Sequence, residues 1–351
     1  MKITRAKNLK QIPDFNKLVF GHVFTDHMLE MDFENGKWGE PYISPYHTFE
    51  LQPSALVFHY GQGIFEGCKA YKDTNGKVSI FRTKDNLVRM NKSAERICMP
   101  QIDVDMIFDA IKQLIILEQA WIPNLPGTSL YIRPTMIATE EIVGLRVSSK
   151  FKFFVILSPV GLYHQHEGSL TKIYVEDHLV RAAIGGTGEA KCLGNYGASF
   201  FGSSKVKQLG FDDVLWLDAK ENKYIEEVGS MNIMFVIDDT VITPALNGSI
   251  LHGITRDSVL KILKKYGYKY EERRISIDEI MECAKNKRLK EIFGVGTAAV
   301  ISPVGTISHG KDTIVINNDQ VGPTSAFLLD RLTGIQTGRY ADEFGWRTTL
   351  N

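Results

Sequence analysis

Apolar positions along the chain switch between a helical period and a strand period, and the switches mark its elements. Leu87, Met90, Ala94 and Ile97 share one face of a helix predicted over residues 84–97, which Pro100 brings to an end. A second amphipathic helix is predicted over 104–121, before Pro123. Upstream, the β-rich runs 68–71 and 78–82 flank Asp73-Thr74-Asn75-Gly76, whose Asn-Gly step is a strong hairpin signal. Leu56-Val57-Phe58-His59-Tyr60 reads as a strand that breaks at Gly61 and Gly63, where a helix is expected to begin. Residues 130–134 and 151–157 read as strands, and the second, nearly all apolar, is expected at the centre of its sheet. The polar loop 138–149 between them carries Val143 and Leu145. Residues 1–50 mix short amphipathic stretches with aromatic and polar residues and contain no readable motif.

Pro159, two glycines and polar residues mark 159–169 as the place for a linker. Beyond it a strand is expected over 172–175, then a glycine-rich loop, then a helix over 198–209 stopped by Gly210. Short strands at 214–217, 223–226, 233–237 and 241–243, separated by turn residues, suggest an antiparallel meander. A helix over 255–266 ends at Gly267, and Ser276-Ile277-Asp278-Glu279 is a capping-box pattern that opens another. No long repeat is present. Without alternating βα units the fold class is α+β.

The chain has 351 residues, more than one hydrophobic core sustains, so two domains are expected: 1–158, a linker over 159–171, and 172–351. Its 41 basic and 41 acidic residues balance, which leaves no global field for nucleic acid or an anionic membrane. Any anion site is therefore local. Cys68, Cys98, Cys192 and Cys283 are widely spaced, with neither a zinc pattern nor a compact disulfide framework, as expected of a reducing compartment and a protein without a metal site. The basic N-terminus lacks the apolar run of a secretory signal, and no segment is apolar enough to span a bilayer, so a cytoplasmic location is expected.

The chemistry centres on Gly185 to Gly197, GGTGEAKCLGNYG. Three glycines within four residues let the main chain approach a ligand closely, and a single lysine, Lys191, follows at once. As a phosphate-binding P-loop the stretch fails twice, because Ala190 replaces the last glycine and Cys192 the magnesium-binding hydroxyl. A lysine on such a turn suits a Schiff base and proton transfer, provided it is accessible yet partly desolvated.

With Asn195 and Tyr196 the stretch reads GGxGxxKxxxNY, which resembles the active-site signature of the branched-chain amino acid aminotransferases, pyridoxal 5′-phosphate (PLP) enzymes of fold type IV. HYGQGIFEG (59–67), IFR (80–82), YIRP (131–134), EEVGSMN (226–232), LHGITR (251–256) and GVGTA (294–298) follow the family's order, so the resemblance covers nearly the whole chain. It implies a D-amino-acid-aminotransferase-like α+β fold, with a smaller N-terminal α/β domain and a larger lysine-bearing C-terminal domain containing antiparallel strands. It also implies a homodimer that moves the amino group between leucine, isoleucine or valine and 2-oxoglutarate by a ping-pong mechanism.

The same resemblance distributes roles. Lys191 carries PLP and moves the α-proton. Glu227 keeps the pyridine nitrogen protonated, with Ser230 as its hydroxyl neighbour, while Glu226, on the opposite face of a strand, is expected in solvent. Thr255 lies at a predicted helix start, where N–H groups favour an anion; the backbones of Ile254 and Thr255, with Arg82 and the Thr297 hydroxyl, would hold the cofactor's phosphate. Tyr196 would donate to the phenolic oxygen, Asn195 would support the loop, and Arg181 would play a supporting part. Phe65, Tyr131 and Tyr196 form the apolar wall, completed by Tyr60, Val143 and Leu145 from the partner subunit. The amides of Thr297 and Ala298 and the Tyr131 hydroxyl would take the α-carboxylate, with Gly294 and Gly296 allowing close approach. Arg133, two residues from Tyr131, either meets the second carboxylate of glutamate or ties down a neighbouring acid. The Cys-x-x-Cys of some members is absent, with Ala299 and Ser302 in its place. The alternatives are a D-amino-acid aminotransferase or aminodeoxychorismate lyase of the same fold, or a non-catalytic phosphate- or nucleotide-binding module.

Overall fold

The computed structural model describes residues 1–161 and 170–350, so most of the expected linker lies outside the described residues. The chain forms two compact units that are not contiguous in sequence. One comprises Met1–Tyr163, Ala190–Leu193 and Gly334–Asn351, and the other His164–Glu189 and Gly194–Thr333. Lys191 and the C-terminal segment thus fall with the N-terminal residues.

The first unit is built on a ten-stranded sheet. Its strands run in the order Lys2–Ile3, Tyr42–Pro45, His27–Glu34, Phe151–Val160, Ser129–Ala138, Cys68–Lys72, Val78–Phe81 and Arg347–Leu350. Gly63–Phe65 pairs beside Ser129–Ala138, and Lys37–Trp38 beside His27–Glu34. Phe151–Val160 has a neighbour on each side, the central place its apolar run predicts. The expected hairpin forms: Asp73 Oδ1 accepts the N–H groups of Asn75 and Lys77, each at 2.9 Å, and Gly76 takes φ 78°. The helices Thr83–Arg96 and Val104–Leu117 bury Leu87, Met90, Ile107, Ile111 and Leu114 in the unit's core. The second stops earlier than predicted, and Gln119–Trp121 continues as a 3₁₀ turn whose indole donates to Asp26 at 3.0 Å.

One local expectation is reversed. Leu56–Tyr60 is a short helix and Gly63–Phe65 the strand. Five apolar or aromatic residues in a row carry no period to separate the two states. Gly61, at φ 62°, decides between them by donating to the Val57 carbonyl and closing a helical turn. The strand His27–Glu34, whose first five residues are all buried, carries no readable signal in sequence.

The second unit holds a nine-stranded sheet. Ile225–Val228, Asp213–Leu217, Thr171–Glu176, Val300–His309, Leu289–Gly296 and Met231–Ile237 pair in that order. Ile225–Val228 also pairs with Met231–Ile237 and closes them into a ring. Ile173, Leu215, Ile233, Phe235 and Ile307 are among its fully buried side chains. The antiparallel meander from 213 to 243 is present. Thr171–Glu176 runs parallel to Val300–His309, and two further parallel pairings flank the meander, where no βα unit was expected. Thr171–Glu176 and Asp213–Leu217 are joined across helix Leu193–Gln208, and Thr240–Thr243 and Lys269–Glu272 across helix Ile254–Lys265. Parallel neighbours need such crossovers, and the two glycine-bearing motifs occupy the strand-to-helix connections. Ser276 opens helix Ile277–Lys285 by accepting the Glu279 N–H at 3.1 Å. Among the described residues no helix is long and apolar enough to cross a membrane.

Candidate active site

In the first unit Lys191 is fixed by its main chain. Its N–H donates to the Ser93 hydroxyl at 2.9 Å, its carbonyl accepts the Phe65 N–H at 3.0 Å, and Cys192 bridges to Ile64. Cys192, to which the sequence assigns no role, is thereby a buried core residue. The Lys191 ammonium nitrogen lies 4.7 Å from the centroid of the Phe65 ring, within cation–π range. The Arg133 guanidinium also lies 4.7 Å from that centroid, and it donates to the Tyr131 hydroxyl at 3.1 Å. Lys191, Phe65, Tyr131 and Arg133 are therefore brought together in this unit. Arg133 Nε is buried without a hydrogen-bond partner. Gly67 is required beside them, because a Cβ there would stand 2.0 Å from the Tyr131 hydroxyl.

Arg82 ends strand Val78–Phe81 and caps helix Thr83–Arg96 in a left-handed conformation, φ 48°. Its Nε donates to Asp85 at 2.6 Å and its guanidinium lies 5.3 Å from the Trp346 ring. Tyr60, Val143 and Leu145 stand apart at the surface: Val143 is 62% and Leu145 83% exposed, and the Tyr60 hydroxyl donates to the Val143 carbonyl at 2.6 Å.

In the second unit the glycine-rich loop is pinned from within. Asn195 donates to the Thr187 carbonyl and accepts the Thr187 hydroxyl, both at 2.7 Å. A Cβ on Gly188 would lie 2.1 Å from the Ser249 carbonyl. Tyr196 follows on helix Leu193–Gln208, half-buried, its carbonyl accepting the Ser199 hydroxyl at 2.7 Å.

Glu227 is 3% exposed. It accepts the Leu251 N–H at 2.7 Å, and Arg181 Nε stands 3.4 Å from its other oxygen. Arg181 also donates to the Ser249 and Gly188 carbonyls, which makes it more central than its supporting part in sequence. Two expectations are corrected here. Glu226 is not in solvent but 2% exposed. The register steps from Leu217–Ile225 to Trp216–Glu227, which leaves Glu226 as the unpaired residue of a bulge, and strict alternation of faces fails there. Burial raises its carboxyl above the usual range, against the hydrogen bonds of Ser249 and Asn247 and the charge of Arg181. The hydroxyl of this acidic cluster belongs to Ser249, whereas Ser230 stands exposed in the turn after the strand. No sequence signal singled out Ser249, because it acts from a loop that only the fold brings over the strand.

Helix Ile254–Lys265 begins at Gly253 with no side-chain cap. A Cβ on Gly253 would stand 2.0 Å from Asn232 Oδ1. Asn232 is held by donating to the Leu251 carbonyl at 3.0 Å, so one short loop ties the helix start to Glu227. Thr297, Ala298 and Ala299 form the turn between strands Leu289–Gly296 and Val300–His309. Gly294 and Gly296 do allow a close approach, but to Met231 of the adjacent strand, whose Cε would lie 2.7 Å from a Cβ at Gly294. Val300 closes the turn at φ 65°, a conformation rare for a β-branched residue and a place of backbone strain.

Residues 63–307 match the family model "Amino-transferase class IV". The chain is 50% identical over 351 residues to branched-chain-amino-acid aminotransferase 2 of Bacillus subtilis, covering all of this chain and 96% of that protein. It is 48% identical over 349 residues to branched-chain-amino-acid transaminase 1 of the same organism, covering 98% of each chain. Its fold matches the crystal structure of the Escherichia coli branched-chain amino acid aminotransferase with a TM-score of 0.75 at 26% identity, over 92% of this chain and 99% of that one. The chain belongs to the class IV aminotransferases and, within them, to the branched-chain amino acid aminotransferases.

Proposed function

We propose that this protein uses PLP to move the amino group reversibly between L-leucine, L-isoleucine or L-valine and 2-oxoglutarate in a ping-pong cycle, as a cytoplasmic homodimer. The residues present fit that cofactor. An amine lies over an aromatic ring beside a buried, unpartnered guanidinium nitrogen, a carboxylate is held by a loop amide, and a helix starts at a glycine whose Cβ would strike Asn232. Bound PLP supplies an aldehyde for the substrate's amine and a ring that draws electrons from the α-carbon.

The chain's own residues do the rest. Lys191 would hold the cofactor through its amine and would carry the proton that leaves the α-carbon. Glu227 would hold the ring nitrogen, Tyr196 the phenolic oxygen, and the first turn of helix Ile254–Lys265, with Arg82 and Thr297, the phosphate. Phe65 and Tyr131 exclude water from the side-chain pocket, the amides of Thr297 and Ala298 orient the α-carboxylate, and Arg133 meets the second carboxylate of glutamate. The exposed apolar residues Phe58, Tyr60, Val143 and Leu145 support a dimer in which each copy completes the other's pocket.

The observation that carries this reading is Lys191, held by its main chain on Ser93 and Phe65 with its amine left over the Phe65 ring. The test is the visible absorption spectrum of the purified protein before and after L-leucine without keto acid. The band of bound PLP should bleach with L-leucine and not with D-leucine. A band that only D-leucine changes transfers the assignment to a D-amino-acid enzyme, and one that neither changes favours a lyase. Lys191→Ala should abolish turnover and leave a dimer retaining some PLP without a covalent link.

A further inference from the structure

Glu226 takes no part in the function proposed above, yet it lies buried in the bulge with Oε2 lacking a hydrogen-bond partner. Its Oε1 lies against the Ser249 hydroxyl and 3.3 Å from the Asn247 amide nitrogen. Ser249 is fully buried, and its hydroxyl is also 2.7 Å from Asn247 Oδ1. Asn247 cannot turn round to relieve this. Its Oδ1 accepts the Ser249 backbone N–H at 3.0 Å, and its nitrogen faces Glu226.

Two oxygen-to-oxygen contacts therefore meet at the Ser249 hydroxyl, and each needs a proton between its oxygens. Serine supplies one. A carboxylate and an amide carbonyl supply none, so the second is the carboxyl proton of Glu226. With it in place Glu226 donates to Ser249, Ser249 donates to Asn247, and every contact is satisfied in one direction. Without it two lone-pair oxygens face each other and a full charge shares a buried carboxyl group with an oxygen that no donor reaches. The charged groups around Glu226 are Arg181, which favours its ionised form, Asp218, which opposes it, and Glu227, next along the strand and paired with Arg181.

We propose that Glu226 is a neutral carboxyl and a positioning residue, which donates its proton to Ser249 and through the Ser249 carbonyl seats Arg181 against Glu227. The Ser249 carbonyl accepts from Arg181 Nη2, and Arg181 Nε stands 3.4 Å from Glu227. A neutral Glu226 leaves the guanidinium to Glu227, and the cluster presents one carboxylate rather than two to the cofactor's ring nitrogen. This rests on the assignment of Glu227 made above.

The test is an infrared difference spectrum between the wild-type protein as purified and Glu226→Gln at neutral pH. Loss of a carboxylic-acid C=O band in the variant is expected, and loss of a carboxylate pair of bands overturns the proposal. In parallel, Glu226→Gln, which can still donate to Ser249, should bind PLP within about twofold of wild type, while Glu226→Ala should lose roughly tenfold, the worth of one ordinary buried hydrogen bond. Equal losses in two folded variants, with folding read by circular dichroism, overturn it as well. An acid band in a protein that binds no PLP removes the aminotransferase reading and leaves Glu226 protonated. A carboxylate in a protein that turns over leucine removes only the present proposal.

Discussion

Among the described residues each unit buries one arginine–glutamate pair, and the two are built differently. In the first, Arg89 grips Glu66 with two parallel bonds of 2.7 and 2.8 Å, Gly67 N–H adds a third at 3.1 Å, and Asn86 accepts from the guanidinium at 3.3 Å. In the second, Arg181 Nε stands 3.4 Å from Glu227, too far for a charge-assisted hydrogen bond, and has no other partner. Both glutamates are equally hidden, at 0% and 3% exposure, so burial does not separate them. Geometry does: Arg89 closes its fork on Glu66, whereas Arg181 turns a terminal nitrogen to the Ser249 and Gly188 carbonyls and meets Glu227 through Nε at 3.4 Å.

The largest effect that can break this comparison is on stability. Glu66→Ala leaves Arg89 buried and uncompensated and should lower the unfolding free energy by about 3–5 kcal/mol in denaturant titrations. Glu227→Gln should invert the pattern, lowering turnover of L-leucine by about 10²–10³-fold while its denaturation midpoint stays far closer to wild type than that of Glu66→Ala. If Glu227→Gln is the more destabilising of the two, the distinction is lost. Asn232→Ala removes the support of the loop that bonds Glu227 and should weaken PLP binding by about 1 kcal/mol, read by fluorescence titration.

The smallest effect sharpens the contrast through pH. Burial raises Glu226 above 4.5, so the folded protein keeps a proton that the unfolded chain has lost, and stability falls as pH rises from the ordinary carboxylate range toward the folded value. Glu30 behaves oppositely: burial would raise it, but Ser44, His47 and Lys152 hold it below 4.5, so its contribution is present above that value and is lost as pH falls through the folded value. Denaturation midpoints of wild type and Glu226→Gln between about pH 3 and 8 should differ only in the decline on the alkaline side, which the variant lacks.

The helices and most strands were legible because their apolar faces are long enough to carry a period, as over 84–97 and 151–157. Leu56–Tyr60 was misread because five apolar or aromatic residues in a row carry none. His27–Glu34, the two parallel crossovers and the closure of the ring by Ile225–Val228 depend on distant partners that local pattern does not encode. At the site, the motif residues that meet within a unit, Lys191 with Phe65 and Tyr131 with Arg133, were found through resemblance. Ser249 and the burial of Glu226 were not, because a bulge changes which way a strand residue points, and no local pattern announces the bulge.

Strand Arg347–Leu350 is paired with Val78–Phe81, and Trp346 supplies both the carbonyl that accepts the Arg82 N–H at 2.9 Å and the ring beneath its guanidinium. On the ribosome this has a temporal meaning. Arg82 emerges long before Trp346, so its seat stays incomplete while the residues between them are made. A nascent chain therefore lacks that seat until Trp346 has emerged. A chain that stops before Trp346 carries Arg82 without the surroundings that hold it and leaves strand Val78–Phe81 as an open sheet edge.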